Sequence, residues 1–184
     1  NPPFKSEYGK FSRESRSPAV TKSGALYYPL WLIYAAAYTE KKGFNIEFLD
    51  APAKQWSEKE SIAYIKEHAS DTGLFVLDTS TPSINSDISF GARLKELYPD
   101  AFILLVGTHP SSTVTETLNS NHLIDGVARK EYDYTVFNLA KALQENEDLN
   151  TVYGISYRRN DEIQHNPDAE YIQDLDTIPY ASEF

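Results

Sequence analysis

The 184-residue sequence contains no cysteine, which excludes disulfides, thiolate zinc sites, cysteine nucleophiles and cysteine-held iron-sulfur clusters within it. Methionine is absent as well, and together with an opening at Asn1 this leads us to expect a segment of a longer polypeptide. Positive charge is scarce: 17 Lys and Arg stand against 27 Asp and Glu, for a formal net charge of -10. No basic stripe is left to neutralise phosphates, which argues against nucleic acid and anionic membranes as partners and for a small or neutral ligand. The acidic surplus reads as a solvated surface. Long hydrophobic runs are missing too. The longest, Ala25 to Tyr38, falls short of the roughly 20 residues that cross a bilayer, and no signal peptide is visible; the expectation is a soluble, cytoplasmic protein. The four histidines, His68, His109, His122 and His165, are scattered without ligand spacing, so no metal site is expected.

What is present is enough apolar material for one full domain, at 41% hydrophobic residues. After a polar opening from Asn1 to Gly24, Tyr27 to Lys42 reads as a helix with Pro29 in its first turn, closed by Gly43. Phe44 to Asp50 alternates at period two and reads as a strand that Pro52 breaks. Ser57 and Glu60 make a capping-box pattern ahead of Ile62, Ile65 and Ala69 on one helical face. The alternation then repeats. Gly73 to Thr79 reads as a strand, Phe90, Leu94 and Leu97 mark a helix ended by Pro99, and Ala101 to Gly107 is the most apolar strand. Thr113 to Leu118 reads as a short helix, Leu123 to Val127 as a strand, and Val136, Ala140 and Leu143 as a last helical face. Past Asn150 the period changes: Val152 to Arg158 and Glu162 to His165 flank Arg159, Asn160 and Asp161 as a β-hairpin. Asp174 to Phe184 reads as a linker.

This pattern predicts an α/β fold, a doubly wound flavodoxin-like (Rossmann-like) parallel sheet whose first strand is largely missing, with a C-terminal β-hairpin extension. The division expected is an α/β ligand domain over 1–150 and a hairpin and linker over 151–184. Asn1, Pro2 and Pro3 are taken as the carboxyl end of the first strand. Sheets of this kind bind ligands outside the carboxyl ends of their strands, which singles out the loops 1–4, 50–52, 79–83, 108–111 and 129–133. The candidate contacts are Asn1, Pro2, Pro3, Asp50, Thr79, Ser80, Thr81, Gly107, Thr108, His109, Pro110, Arg129 and Glu131. Gly107 lets backbone approach a ligand with no Cβ in the way, and the loop hydroxyls suit a ligand rich in amide groups. The aromatic set Tyr27, Tyr28, Trp31, Tyr34 and Tyr38 is assigned to core and subunit contact, which is compatible with a homo-oligomer.

Several segments together carry a family resemblance: N-P-P-F at 1–4, V-G-T-H-P-S at 106–111, D-G-V-A-R-K-E-Y-D at 125–133, G-I-S-Y-R-R-N-D-E-I-Q-H-N-P at 154–167 and D-L-D-T-I-P at 174–179. In order and spacing they resemble the N-terminal cobalamin-binding domain of cobalamin-dependent radical S-adenosylmethionine enzymes. The resemblance implies a corrinoid lying across the strand ends, with its nucleotide tail in a slot beside the central strands for which Gly107 makes room. No aspartate is followed by His two residues later, so cobalt is expected to be bound without the histidine of an Asp-x-His-x-x-Gly motif. Thr108 and Lys130 stand where the family often has glycine. The resemblance also implies a downstream barrel, partner to this domain, whose Cys-x-x-x-Cys-x-x-Cys motif holds an iron-sulfur cluster that cleaves S-adenosylmethionine. That chemistry is expected beyond Phe184, in a methyltransferase or a ring-forming oxidative enzyme, and the segment itself is expected to catalyse nothing alone.

One rival has the same architecture. A phospho-receiver domain uses an aspartate, a hydroxyl and a lysine after successive strands, and Asp78, Thr108 and Lys130 fall in those places. Against it, Lys130 is followed by Glu131 rather than proline, and the long opening loop and final hairpin do not belong there.

Overall fold

The computed structural model describes residues 1–3 and 28–184; Phe4, Tyr27 and most of the expected polar opening lie outside the described residues. Pro29 sits at the N-cap of helix α1, Leu30–Lys41, one residue ahead of the first turn where its missing N–H is harmless. Gly43 follows the helix at φ +98°, as a left-handed C-terminal residue does. Helix α3, Glu58–His68, carries both halves of the capping box: the Ser57 hydroxyl accepts from the Glu60 N–H, and the Glu60 carboxylate accepts from the Ser57 N–H. A four-residue helix, α2, Ala51–Lys54, precedes it.

The sheet runs in sequence order through β1, Leu74–Asp78, β2, Phe102–Val106, β3, Gly126–Ala128, β4, Ile155–Arg159, and β5, Glu162–His165. The first three strands are parallel, with Leu74 opposite Phe102 and Leu104 opposite Gly126; β4 and β5 join antiparallel. Helix α4, Ile84–Leu97, helices α5, Thr108–Ser112, and α6, Val114–Ser120, and helix α7, Asp133–Glu145, supply the crossovers. Every residue of β2 is buried, because both faces of a parallel sheet are covered by helices. Phe102, Leu104 and Val106 pack with Leu32 and Ala35 of α1 and Val136 and Leu139 of α7. Ile103 and Leu105 point to the other layer, with Ile65 of α3, Leu94 of α4 and Leu118 of α6. This is the doubly wound arrangement the alternation predicts.

The hairpin extension is also present, and its two-residue turn holds Asn160 at φ +50° and Asp161 at φ +65°, the pair of left-handed residues that a type I′ turn demands. Because β4 pairs with β3, the hairpin widens the same sheet.

Four local expectations are corrected. Residues 44–49 keep the period-two burial, with Phe44 and Ile46 half-buried and Asn45 and Glu47 exposed, but form no strand. An extended segment becomes a strand only through a hydrogen-bonded neighbour, and among the described residues only Asn1 provides one rung: its amine donates to the Leu49 carbonyl and its carbonyl accepts from the Ala51 N–H. The expected strand at Leu123 starts at Gly126. The expected loops at 50–52 and 108–111 contain the starts of α2 and α5. The tail is anchored rather than a bare linker: it contains the 3-10 turns Leu175–Thr177 and Ala181–Glu183, the Tyr134 and Thr177 hydroxyls are hydrogen-bonded, and the Phe184 ring lies 5.6 Å from that of Phe48.

Of the aromatic set, Tyr38 is buried, its ring tilted against that of Tyr134 at 4.6 Å and edge-on to that of Phe137 at 5.7 Å. Tyr28 and Trp31 remain exposed. Among the described residues no helix is long and apolar enough to cross a membrane.

Candidate functional site at the strand ends

The carboxyl ends of parallel β1, β2 and β3 open on one rim of the sheet, and the predicted loops gather there through direct hydrogen bonds. Asn1 and Asp50 form one contact, with the Asn1 amide donating to Asp50 Oδ1 at 2.7 Å. The loops after β1 and β2 are joined by Thr81 Oγ1 and His109 Nδ1, 3.1 Å apart. The loops after β2 and β3 are joined by the Lys130 N–H, which donates to the Ser111 hydroxyl at 2.8 Å. Lys130 takes φ +61°, so the position where the resembled family often has glycine keeps the left-handed backbone that favours glycine.

Within this rim the hydroxyls divide. Thr79 is buried. The Ser80 and Ser83 hydroxyls lie 2.9 Å apart, and Ser83, fully buried, donates to Asp87 Oδ2 at 2.6 Å. Since Ser83 gives its one proton to the carboxylate, Ser80 donates to Ser83, and this chain of bonds shapes the loop from inside. Thr81 and Thr108 are exposed, and His109 and Ser111 are half-buried. These four present hydroxyl and imidazole groups to a ligand, with no carboxylate among them. Pro110 is buried beneath them. Glu131 is exposed.

Gly107 has a different occupant from the one expected. A Cβ built on it would meet the Thr79 carbonyl oxygen at 2.2 Å; the space that the missing side chain leaves is filled by the end of β1. At φ +116° and ψ 174° it occupies a region open essentially to glycine alone. Gly107 therefore sets how closely the first two loops approach each other.

Arg129 is also committed internally. Its guanidinium donates to the Ile155 carbonyl at 2.7 Å, to the Ser156 hydroxyl, to the Asn166 carbonyl and twice to Asp168 Oδ1, at 3.0 and 3.1 Å. The Lys130 ammonium bonds the other oxygen of Asp168 at 2.6 Å. Hydrogen bonding from Lys130 and then Arg129 holds the Asp168 carboxyl below its usual range, and Asp168 in turn raises Lys130. Asp168, Ser156 and Asn166 thus pin the loop after β3 to the hairpin. Sequence reasoning missed them. The signal available was the hairpin itself, since pairing β4 against β3 brings 166–168 beside 129. The receiver arrangement finds little support here: its lysine is held by Asp168. Among the described residues no group of three or more His, Asp or Glu could hold a metal ion.

A doubly wound sheet with a polar, hydroxyl-bearing rim at its carboxyl ends defines a ligand-binding α/β domain. Residues 16–140 match the B12 binding domain family, and the chain belongs to that family. It is 28% identical over 155 residues to an uncharacterized methyltransferase of Pyrococcus horikoshii, covering 84% of this chain and 33% of that protein. It is 29% identical over 148 residues to an anaerobic magnesium-protoporphyrin IX monomethyl ester cyclase of Synechocystis, covering 80% and 30% respectively. The chain thus spans about a third of these relatives. The fold is shared with the cobalamin-dependent S-adenosylmethionine radical enzyme OxsB in its structure with aqua-cobalamin and S-adenosylmethionine, at TM-score 0.70 and 18% identity over 82% of this chain and 21% of that one. It is shared as well with the radical S-adenosylmethionine methyltransferase TsrM of Kitasatospora setae, at TM-score 0.67 and 17% identity over 78% and 28%.

Proposed function

We propose that this chain is the cobalamin-holding domain of a radical S-adenosylmethionine enzyme, a methyltransferase, and that the corrinoid lies across the rim formed by Thr81, Thr108, His109 and Ser111. The observation that carries the reading is the family match over most of the sheet, joined to a rim that suits the group. A corrin is edged with amide side chains, and the rim offers hydroxyls that both donate and accept, with no carboxylate among the four. Bound cobalamin would supply methyl transfer through its cobalt.

The chain's own residues do the holding. Thr81 and Thr108 hydrogen-bond the corrin edge, while Ser80, Ser83 and Asp87 keep the first loop in shape behind them. His109 has Nδ1 engaged by Thr81, which turns the ring along the rim and makes it a positioning group between two loops. No Asp-x-His-x-x-Gly histidine is present, so cobalamin would be held without a histidine from that motif. Asp50 and Asn1 close the outer end of the rim. The iron-sulfur cluster and S-adenosylmethionine belong to a C-terminal barrel in the same polypeptide, to which the tail over 174–184 leads, so residues 1–150 bind and 151–184 connect.

The test is retention. Purified protein mixed with hydroxocobalamin and passed through a desalting column keeps the visible corrin bands, and Thr81→Val with Thr108→Val weakens retention at unchanged Tm. Loss of all corrin absorbance from both the chain and the full-length enzyme would overturn the reading. The barrel assignment fails if the full-length sequence lacks the three-cysteine motif.

A further inference from the structure

We propose that Ser80 is a specificity contact of the rim, fixed by Ser83 and the buried Asp87 as a pure hydrogen-bond acceptor, and that it selects a ligand presenting an amide N–H at that point over one presenting a carboxylate, a role that rests on the corrinoid reading.

The relay starts at a carboxylate out of reach of solvent. Asp87 lies in the first turn of α4 and is fully buried, where the free N–H groups of a helix start favour negative charge. Ser83 stands at the N-cap of the same helix, the position from which a serine ordinarily accepts an N–H of the first turn. It makes no such cap. Its hydroxyl instead donates to Asp87 Oδ2 at 2.6 Å and accepts from the Ser80 N–H at 3.2 Å, with the Ser80 hydroxyl 2.9 Å away. The other acceptor within its reach, the Ser80 carbonyl, is at 3.3 Å; the closer, charged oxygen takes the proton.

One proton per hydroxyl fixes the rest. With the Ser83 proton on Asp87, the proton between the two serines belongs to Ser80. Both lone pairs of Ser83 are then filled from Ser80, one by its N–H and one by its O–H. The Ser80 oxygen has given its proton inward and keeps two lone pairs, with no donor on them among the described residues. Ser80 is half-buried, between buried Thr79 and exposed Thr81, so solvent reaches those lone pairs on the bare rim and a ligand lying on the rim displaces it.

That displacement is where selection arises. An acceptor covered without a donor loses its hydrogen bond, and only an N–H or O–H of the ligand restores it. An amide at the corrin edge supplies an N–H. A carboxylate in the same place supplies only lone pairs and a charge of the same sign as Asp87. A hydroxyl free to rotate meets either group; Ser80, with its proton committed, meets one. Asp87 touches no ligand and acts as a positioning residue, because its charge sets the direction in which the relay runs.

The experiment measures retention, at neutral pH, of hydroxocobalamin and of its separated monocarboxylic acids, in each of which one edge amide is hydrolysed. The expected result is that one isomer binds the parent chain about tenfold more weakly than hydroxocobalamin, and that the ratio falls to about one in Ser80→Ala, which keeps the Ser83 bond to Asp87 and so adds no unpaired buried charge. In Asp87→Asn the amide can accept from Ser83 or donate to it, the relay runs either way, and the ratio falls as well; a loss of packing alone would weaken all isomers equally and leave the ratio unchanged. Equal retention of every isomer by the parent overturns the proposal. So does a ratio that survives Ser80→Ala, which places the contact elsewhere, or one that survives Asp87→Asn, which removes the carboxylate from control of Ser80. These outcomes leave the proposed function standing, whereas absence of any corrin from the parent chain and the full-length enzyme overturns both.

Discussion

Replacing Gly107 by alanine tests whether the close approach of the first two loops rests on this residue. The new methyl carbon would lie 2.2 Å from the Thr79 carbonyl oxygen, whereas even a close C···O contact needs about 3.3 Å. The end of β1 must therefore retreat by roughly 1 Å. That retreat pulls on the Thr79 N–H, which donates to Val106 at 2.9 Å, and losing a buried backbone bond costs about 1–3 kcal/mol. Holding alanine at φ +116° and ψ 174° adds about 1–3 kcal/mol. Together the substitution costs about 4 kcal/mol, and at about 2–4 °C per kcal/mol for a chain of this size Tm falls by about 8–16 °C. Thermal unfolding followed by circular dichroism measures this directly, and corrin retention should fall in parallel because Thr81 and Thr108 are displaced from each other. A Gly107→Ala protein melting within about 2 °C of the parent would refute the reasoning: the loop would then be soft enough to absorb the methyl, and Gly107 would not set the spacing.

Arg129→Met removes a guanidinium with only 13% of its side chain exposed, takes its donors from the Asn166 carbonyl and the Ser156 hydroxyl, and leaves the Ile155 carbonyl with the Asn166 N–H. The expected loss is about 3 kcal/mol, seen as a Tm about 6–12 °C lower in the same melt. Asp168→Asn acts through exposed charge, so its effect is small and salt-sensitive. The Asp168 carboxyl is depressed by Lys130 and Arg129, so its contribution is present above the unfolded value near 3.8 and is lost as pH falls through the lower folded value. Lys130 is raised above 10.5; its contribution is present below that value and disappears as pH rises through the folded one. The Tm difference between parent and Asp168→Asn should therefore be flat from about pH 5 to about pH 9 and shrink at acid pH. Ser57→Ala breaks the capping box of α3 and should cost about 1 kcal/mol, or about 2–4 °C, without changing corrin retention.

Much of this architecture was legible because its signals are local. The five apolar residues of β2, the capping box at Ser57 and Glu60 and the turn at Asn160 and Asp161 each state their conformation within a few positions. Residues 44–49 misled for an instructive reason. Alternation reports which side chains are buried, and that part is right, but a strand also needs a hydrogen-bonded neighbour, and no six-residue window encodes one. The site follows the same division. Topology places the loops at the strand ends, so the sequence finds them. It does not reveal that Ser80 is turned inward by Ser83, or that Arg129 is spent on the hairpin.

That second point changes how the rim works. An arginine in a binding loop of a net-acidic chain invites the reading that it meets the ligand. Here its five N–H bonds all end on β4, Asn166 and Asp168, and the neighbouring lysine ends on the same carboxylate. A guanidinium so engaged has no donor left to give. Its effect on the rim is indirect: it fixes the loop after β3, and through the Lys130 N–H on Ser111 it fixes the loop after β2. The hairpin therefore shapes the rim although it touches none of the proposed contacts. Asp168 thus ties the loop after β3 to the segment that follows the hairpin, through its ion pairs with Arg129 and Lys130.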